Sequence, residues 1–274
     1  MDTAFFAGLH TEVGGDAAAA ELTGTVHSAA ACGGPWSPDL QHGGPPSALL
    51  IRLAEQLAGA AAGRTDLVAV RIAAEFLAPV PVAPLAVSAR VLRLARTAVL
   101  VSAELAADGR PCLQARIWLM AEQAGRLPGV PAPAGPQVPD PSECPDFGMD
   151  GFPYADHLEW RVVSGRARQP GPASVWVRPR VPLLPDEPVS TLQRLALIAD
   201  SASGISSLLD WDAWSFANVD LDIHLVRRSA EDWVLMQATS ALGAGVGLAR
   251  STLSDRSGLL GAGMQTLLVR SRRD

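Results

Sequence analysis

The sequence predicts an α+β fold of two tandem domains, in which each domain is a long helix wrapped by an antiparallel sheet. Three observations predict this architecture. A helix-like segment precedes a run of strand-like segments, the same order occurs a second time, and a proline-rich stretch separates the two copies. With 274 residues, of which 48% are hydrophobic and 18% charged, the chain can give each of two domains a core of its own.

The first half has the signals of one helix and four strands. Residues 45–63 have apolar residues at helical spacing, two prolines in the first turn and a glycine at the end, which are helix start and stop signals. Segments rich in branched residues and separated by turn residues then predict strands at 66–76, 85–94, 97–109 and 111–122.

The second half repeats this order, which indicates an internal duplication of roughly 110 residues. It predicts a helix at 190–209 and strands at 215–227, 232–243, 247–258 and 259–271. Between the halves, prolines recur without a helical or strand period, and this pattern predicts an irregular linker. The predicted units are an N-terminal domain at 1–124, a linker at 125–172 and a C-terminal domain at 173–274.

Composition and charge exclude several classes of function. A net charge of -6 removes the general attraction to phosphate backbones, so no nucleic-acid partner is expected. All 22 basic residues are arginine, which excludes mechanisms that need a lysine. The three cysteines lack the spacing of a metal site, and no cofactor is predicted. The acidic N-terminus and the lack of a long apolar run favour a cytoplasmic protein without a membrane partner.

A duplicated unit of one helix and an antiparallel sheet points to the hotdog fold in its fused form. Five segments carry a family resemblance: QHGGPPSALLIRLAEQLAG, EFLAPVPVAPLAV, ALIADSASGI, NVDLDIHLVR and DRSGLLGAGMQTLLVR. They resemble the double-hotdog acyl-CoA thioesterases, including the type II acyl-CoA thioesterases. The resemblance implies two tandem hotdog domains, a thioester hydrolase of lipid metabolism, and an acyl-CoA substrate cleaved to free fatty acid and coenzyme A. A homo-oligomer of the fused pair is also compatible with this fold.

Thioester hydrolysis needs a group that polarises the carbonyl and a group that delivers water. His42, Gly43 and Gly44 directly precede the first helix, where free backbone N–H groups point outward and glycine allows close approach. We therefore predict an oxyanion hole from the N–H of Gly43 or Gly44. The alternative is an ordinary glycine loop.

Asp200 lies among apolar neighbours in the second predicted helix, where burial of an unpaired acid is costly. The family resemblance implies that it acts as general base or nucleophile. The alternative is a solvated helix face, and Asp220 is a reserve candidate for the acid. The resemblance also implies that Gln265, in the last strand, helps to hold the attacking water, unless it faces solvent. Asn218 stands where the family usually has threonine, and it keeps hydrogen-bonding capacity without the hydroxyl.

The two halves contribute unequally to the predicted site. One crevice combines Gly43 and Gly44 with Asp200 and Gln265. The matching positions in the other crevice are predicted to be Ile51 and Arg116, so we expect one working site per chain. Arg270, Arg272 and Arg273 could meet the phosphates of coenzyme A, although a basic tail is more often only solvated.

Three other functions compete with this interpretation of the sequence. A hotdog enoyl-CoA hydratase is less favoured, because its family signature DxNPxH is absent from the chain. A serine-dependent thioesterase of another fold is disfavoured because no GxSxG motif occurs. A non-catalytic acyl-CoA-binding protein would keep the pocket and lose the chemistry. Release of thiol from acyl-CoA distinguishes it from an enzyme.

Overall fold

A computed structural model describes residues 2–122, 135 and 137–272. Within these residues a single antiparallel sheet of thirteen strands surrounds two central helices. No helix of the described chain is long and apolar enough to cross a membrane.

The first half contributes the strands of one side of the sheet and the longer helix. Helix α1 covers Gly44–Ala62 and ends at Gly63, whose φ of 62° is the left-handed conformation that glycine adopts without strain. The strands of this half are β1 (Phe6–Gly14), β2 (Glu21–Ser28), β3 (Leu67–Phe76), β4 (Pro84–Leu94), β5 (Ala98–Ala107) and β6 (Arg110–Ala121). The predicted helix and the four predicted strands of this half are confirmed.

The second half repeats the arrangement with a shorter helix. Its helices are α2 (Pro153–Asp156), α3 (Thr191–Ala199) and α4 (Ala202–Ile205). Its strands are β7 (Leu158–Ser164), β8 (Ala173–Pro179), β9 (Trp214–Asn218), β10 (Asp220–Leu225), β11 (Val234–Gly243), β12 (Val246–Asp255) and β13 (Gly258–Ser271). The prediction of one continuous helix at 190–209 is wrong, because the helix breaks at Asp200 and Ser201.

The strand order makes the duplication visible. The order is β1-β2-β4-β5-β6-β3-β10-β13-β12-β11-β8-β7, with β9 also paired to β13, so the second six strands run through the sheet in the reverse order of the first six. Strands β7 and β8 therefore correspond to β1 and β2. The repeated unit has two strands before its helix, which the sequence did not reveal.

The interval predicted as an irregular linker, 125–172, contains strand β7 and helix α2. The prolines of this interval all lie outside 158–164. The prediction was based on the proline content of the whole interval and therefore missed this proline-free strand. The last two residues of the predicted N-terminal domain, 123–124, and the linker residues 125–134 and Pro136 lie outside the described residues. The domain bounds at 124 and 173 stay a prediction.

Strands β1 and β2 were missed because they bury little apolar surface. Strand β1 is at the edge of the sheet, and most of its residues are exposed. In β2 only Leu22 and Val26 are buried. Backbone pairing holds β1 to β2 and β2 to β4, and such pairing has no signature in the hydrophobic pattern.

The two halves join at the centre of the sheet and between the helices. Strand β3 pairs antiparallel with β10, with Ile72 opposite Ile223. On the inner face α1 packs on α3, and a Cβ at Gly44 would lie 2.4 Å from the carbonyl oxygen of Leu197. Since only glycine permits this approach, the start of α1 is fixed against the end of α3, directly beside Asp200.

Candidate active site

Asp200 lies where the start of α1 meets the end of α3. It follows the last residue of α3, and its side chain is only 3% exposed. The helix can end at this position because side chains satisfy its last carbonyl groups. The Tyr154 hydroxyl donates to the carbonyl of Leu197 at 2.5 Å, and Gln265 Nε2 donates to the carbonyl of Asp200 at 3.0 Å.

Two amides hold one oxygen of the Asp200 carboxylate. Asn218 Nδ2 donates a short hydrogen bond to Oδ1, and Gln265 Nε2 donates to the same oxygen at 3.1 Å. The oxygen of the Gln265 amide accepts from the backbone N–H of Ser203 at 3.3 Å. Both hydrogens of the Gln265 amide thus serve Asp200, and this arrangement fixes the orientation of the carboxylate.

The other carboxylate oxygen, Oδ2, lies 3.0 Å from His42 Nδ1. The same ring nitrogen lies 3.2 Å from the backbone nitrogen of Gly44. Nδ1 cannot donate to the carboxylate and accept from Gly44 at once. Because a hydrogen bond to a charged acceptor is the stronger of the two, we infer that the proton is on Nδ1 and is donated to Asp200.

Tyr154 joins the two sides of the site. Its ring stacks on His42 with centroids 3.7 Å apart and an interplanar angle of 2°, and its hydroxyl lies 3.0 Å from Ser201 Oγ. Burial raises the pKa of Tyr154, so the phenol stays neutral and can donate at working pH. Tyr154 was not predicted as a site residue, because it lies in the predicted linker. That it is the only tyrosine of the chain was the one available signal.

The backbone of Gly43 lies directly beside the Asp200 carboxylate, with no room for a side chain between them. A Cβ at this position would lie 2.9 Å from both carboxylate oxygens, and α1 begins at the next residue. No hydrogen bond engages the N–H of Gly43 among the described residues, whereas the N–H of Gly44 points to His42. With the proton of His42 on Nδ1, the N–H of Gly44 has no acceptor there either, and Gly43 is the one of the two glycines that lines the adjacent cavity.

Part of this site lines a cavity of about 510 Å³, a volume typical of small-molecule sites. Its lining includes His42, Gly43, Asp200 and Asn218. Six aromatic side chains also line it: Trp36, Phe76, Phe152, Trp160, Trp211 and Phe216. A larger, polar hollow of about 660 Å³ lies on the other face of the sheet, and no predicted site residue lines it.

The reserve acid, Asp220, lies away from this cavity. Its carboxylate accepts from the backbone N–H of Thr266 at 2.5 Å and from the Thr266 hydroxyl at 3.1 Å. Asp222 lies two residues further along β10, hence on the same face of the strand, and it pairs with Arg71 at 2.9 Å. Because alternate residues of a strand face opposite sides, both carboxylates are on the face of the sheet opposite to Asp200.

The pseudo-equivalent crevice differs from the prediction at one of its two predicted residues. Ile51 is fully buried, as an apolar residue in that position should be. Arg116 does not match Gln265, because it is exposed and lines the hollow on the other face, whereas Ala115 and Ile117 point inward. The prediction erred by one residue in strand register, which reverses the face.

An acid does lie near the start of α3, one helical turn beyond Ile51. Glu55 of α1 accepts from Gln193 Nε2 at 2.5 Å, and burial raises its pKa. Helix α3 begins after Ser190, whose hydroxyl accepts from the backbone N–H of Gln193. The start of α3 therefore has a side-chain cap and no glycine pair, unlike the start of α1.

Models of protein families match both halves of this chain. An acyl-CoA thioesterase N-terminal domain matches residues 33–120, and an acyl-CoA thioesterase C-terminal domain matches residues 130–269. The chain belongs to the acyl-CoA thioesterase family. The thioesterase is accordingly a thioester hydrolase, and the predicted family is confirmed.

Solved structures with the same fold cover nearly the whole thioesterase. A hot dog fold protein of unknown function from Alicyclobacillus acidocaldarius is 15% identical over 94% of this chain and 96% of its own, with a TM-score of 0.69. The tesB protein of Mycobacterium avium subs paratuberculosis is 20% identical over 90% and 92%, with a TM-score of 0.64. Acyl-CoA thioesterase II from Mycobacterium marinum is 17% identical over 95% and 96%, also with a TM-score of 0.64. At these identities the likeness shows the fold, and it confirms the predicted tandem hotdog architecture. No curated protein matches the chain in sequence.

Proposed function

We propose that this thioesterase hydrolyses an acyl-CoA to a free fatty acid and coenzyme A, with Asp200 assisting the attack of water. The observation that carries the proposal is the meeting of a buried, amide-held carboxylate and a free helix-start N–H at one aromatic-lined cavity. The first group can accept a proton from water, and the second can stabilise negative charge on a carbonyl oxygen.

The proposed reaction begins with the thioester carbonyl at the N–H of Gly43, at the positive end of α1. Water attacks the carbonyl carbon while Asp200 takes its proton. The tetrahedral intermediate then collapses, the carbon–sulfur bond breaks, and the proton held by Asp200 passes to the leaving thiolate. The products are a carboxylic acid and coenzyme A, and Asp200 returns to the carboxylate. His42 keeps Oδ2 in place by hydrogen bonding.

Thiol release from a panel of acyl-CoAs of increasing chain length tests the proposal. Hydrolysis of at least one member, with loss of that activity in the Asp200 variant described below, is the expected result. Binding of acyl-CoA without release of thiol from any member would favour the non-catalytic acyl-CoA-binding alternative.

Gln265→Ala is expected to lower kcat about tenfold or more with little change in KM. The amide donates one hydrogen bond to the carboxylate of Asp200 and one to its backbone carbonyl, and the loss of both affects the step that uses the carboxylate rather than substrate binding. Steady-state kinetics on the best acyl-CoA measures this change. A large rise in KM at constant kcat would instead place Gln265 in substrate binding.

Tyr154→Phe is expected to lower kcat several-fold while the stacked ring and the fold are kept. The variant removes the hydroxyl that bonds to Leu197 and Ser201, on either side of Asp200, and retains the contact with His42. The matched variant is Tyr154→Leu, which loses both the hydroxyl and the ring stacked on His42. Its kcat should fall further than that of Tyr154→Phe. Equal kinetics for wild type and Tyr154→Phe would show that the hydroxyl has no part in positioning Asp200.

One working site per chain is expected. Titration calorimetry with a non-hydrolysable acyl-CoA thioether should give one tight site, because, of the helix starts in the described residues, only that of α1 combines a glycine with a cavity-lining acid. The control is Glu55→Gln, since Glu55 of α1 lies beside the start of α3. This variant should keep turnover within twofold of wild type. Two equivalent sites, or loss of half the activity in Glu55→Gln, would contradict the single site.

A further inference from the structure

Two arginines, Arg270 in β13 and Arg272 just after it, lie near the mouth of the catalytic cavity. Arg270 lines the cavity, and its side chain is exposed. Arg272 follows the strand, and its guanidinium lies 4.9 Å from the ring centroid of Trp36, another cavity residue. In the part of the chain that the structure describes, neither guanidinium has a carboxylate partner within ion-pair distance.

An aromatic cluster gives this mouth a rigid wall. Trp36, Trp211 and Phe216 contact one another with ring centroids 5.0 to 5.7 Å apart. Arg168 lies over the Trp211 ring at 5.8 Å, as Arg272 lies over Trp36. A guanidinium held over a ring face keeps the N–H groups at its edge available for an anion.

The acids of the turn beside Arg272 form no ion pair with either arginine. Arg272 donates its backbone N–H to Ala213, which places it beside the turn that contains Asp210 and Asp212. Asp210 accepts from the backbone N–H of Asp212 at 2.9 Å, and neither carboxylate forms an ion pair with a described arginine. The mouth can therefore receive an external anion.

The distance from the candidate site to Arg270 matches the length of the coenzyme A arm. Arg270 is the fifth residue after Gln265 in β13, a rise of roughly 17 Å at about 3.3 Å per residue. In an acyl-CoA, about fourteen bonds separate the thioester carbon from the first phosphorus, which is about 16 Å when the arm is extended.

We propose that Arg270 and Arg272 bind the phosphate groups at the nucleotide end of the acyl-CoA. This inference rests on the proposed function, because it takes the thioester to lie at Asp200. The phosphates meet the two guanidinium groups, and the pantetheine arm runs from the mouth past Phe216 to Asn218. The preference for coenzyme A thioesters over thioesters without phosphate then resides in these two arginines.

The test compares one acyl group on two carriers, coenzyme A and phosphate-free pantetheine. For acyl-CoA, Arg270→Gln and Arg272→Gln should each raise KM several-fold, and the double variant about tenfold or more, with kcat unchanged. For acyl-pantetheine, kcat/KM should stay within twofold. Added salt should raise the acyl-CoA KM of wild type more than that of the double variant.

Arg250→Gln is the matched control. Arg250 is an exposed arginine of β12 that bonds to the Thr239 hydroxyl at 2.9 Å. It lies opposite Met264, six strand residues from Arg270 and thus roughly 20 Å away. Its acyl-CoA KM should equal that of wild type. An equal effect of Arg250→Gln, an unchanged KM in the double variant, or an equal loss with acyl-pantetheine would overturn the inference.

Calorimetry separates this inference from the proposed reaction. Coenzyme A should bind to wild type and about tenfold more weakly to the double variant, and this result requires no hydrolysis. If no acyl-CoA is hydrolysed but coenzyme A binding still depends on the arginines, the proposed reaction fails and the phosphate site stands. Inorganic phosphate that binds as tightly as coenzyme A would instead indicate a simple anion site and overturn the inference.

Discussion

Asp200→Asn is expected to reduce turnover by about a hundredfold or more while the protein stays folded. The amide cannot accept a proton from water. It can keep the contacts of the carboxylate, since its oxygen can accept from Asn218 and Gln265 and its NH₂ can donate to His42 Nδ1 once the imidazole proton moves to Nε2. Thiol release measures the loss, and thermal unfolding should give a melting temperature close to that of wild type.

Asp220→Asn is the control for this prediction. Asp220 is an aspartate near the site in sequence, and its carboxylate bonds to Thr266 on the opposite face of the sheet. Its variant should retain turnover within threefold of wild type. If Asp200→Asn were active within threefold and Asp220→Asn inactive, the acid would have been identified wrongly.

Gly43→Ala is expected to lower kcat by about tenfold to a hundredfold with little loss of stability. The backbone of Gly43 is already helical, with φ -69° and ψ -15°, so alanine causes no strain there. Its methyl group, however, would lie 2.9 Å from both oxygens of Asp200 and 2.6 Å from Phe76 Cζ. These side-chain ends can move aside, and displacing a reacting group by about 1 Å can cost a hundredfold in rate.

Gly44→Ala provides the contrast, because the neighbouring glycine has a different function. Its methyl group would meet the backbone of α3, 2.4 Å from the carbonyl oxygen of Leu197. Helices α1 and α3 would have to separate, which is expected to cost about 1–3 kcal/mol of stability. Denaturant unfolding together with kinetics distinguishes the two variants. A Gly43→Ala enzyme with full activity, or one destabilised as much as Gly44→Ala, would refute the assignment of Gly43 to the site.

Local patterns in the sequence were sufficient to predict most of the fold. Apolar periodicity and end signals predicted α1, and branched residues between turns predicted β3 to β6 and β11 to β13. The single strand predicted at 215–227 is β9 and β10 in the structure, and β7 and β8 were not predicted. The glycine pair, the acid among apolar residues and the two amides were all predicted as site residues. The glycine pair before a helix and the acid among apolar neighbours stand out in their own segments, whereas the two amides were predicted from the family resemblance, as was the role of Asp200.

What only the tertiary structure decided depends on contacts between distant segments. The meeting of His42 and Gly43 with Asp200, Asn218 and Gln265 follows from the packing of α1 on α3 and from the register of β9 on β13. Register also set the faces of Asp220 and Arg116, since a shift of one residue turns a strand side chain to the other side of the sheet. Tyr154 was invisible to local patterns because its partners are 43 and 47 residues away. The sequence by itself determined the types of residue that the site uses, and the long-range packing determined which copies of those residues share one cavity.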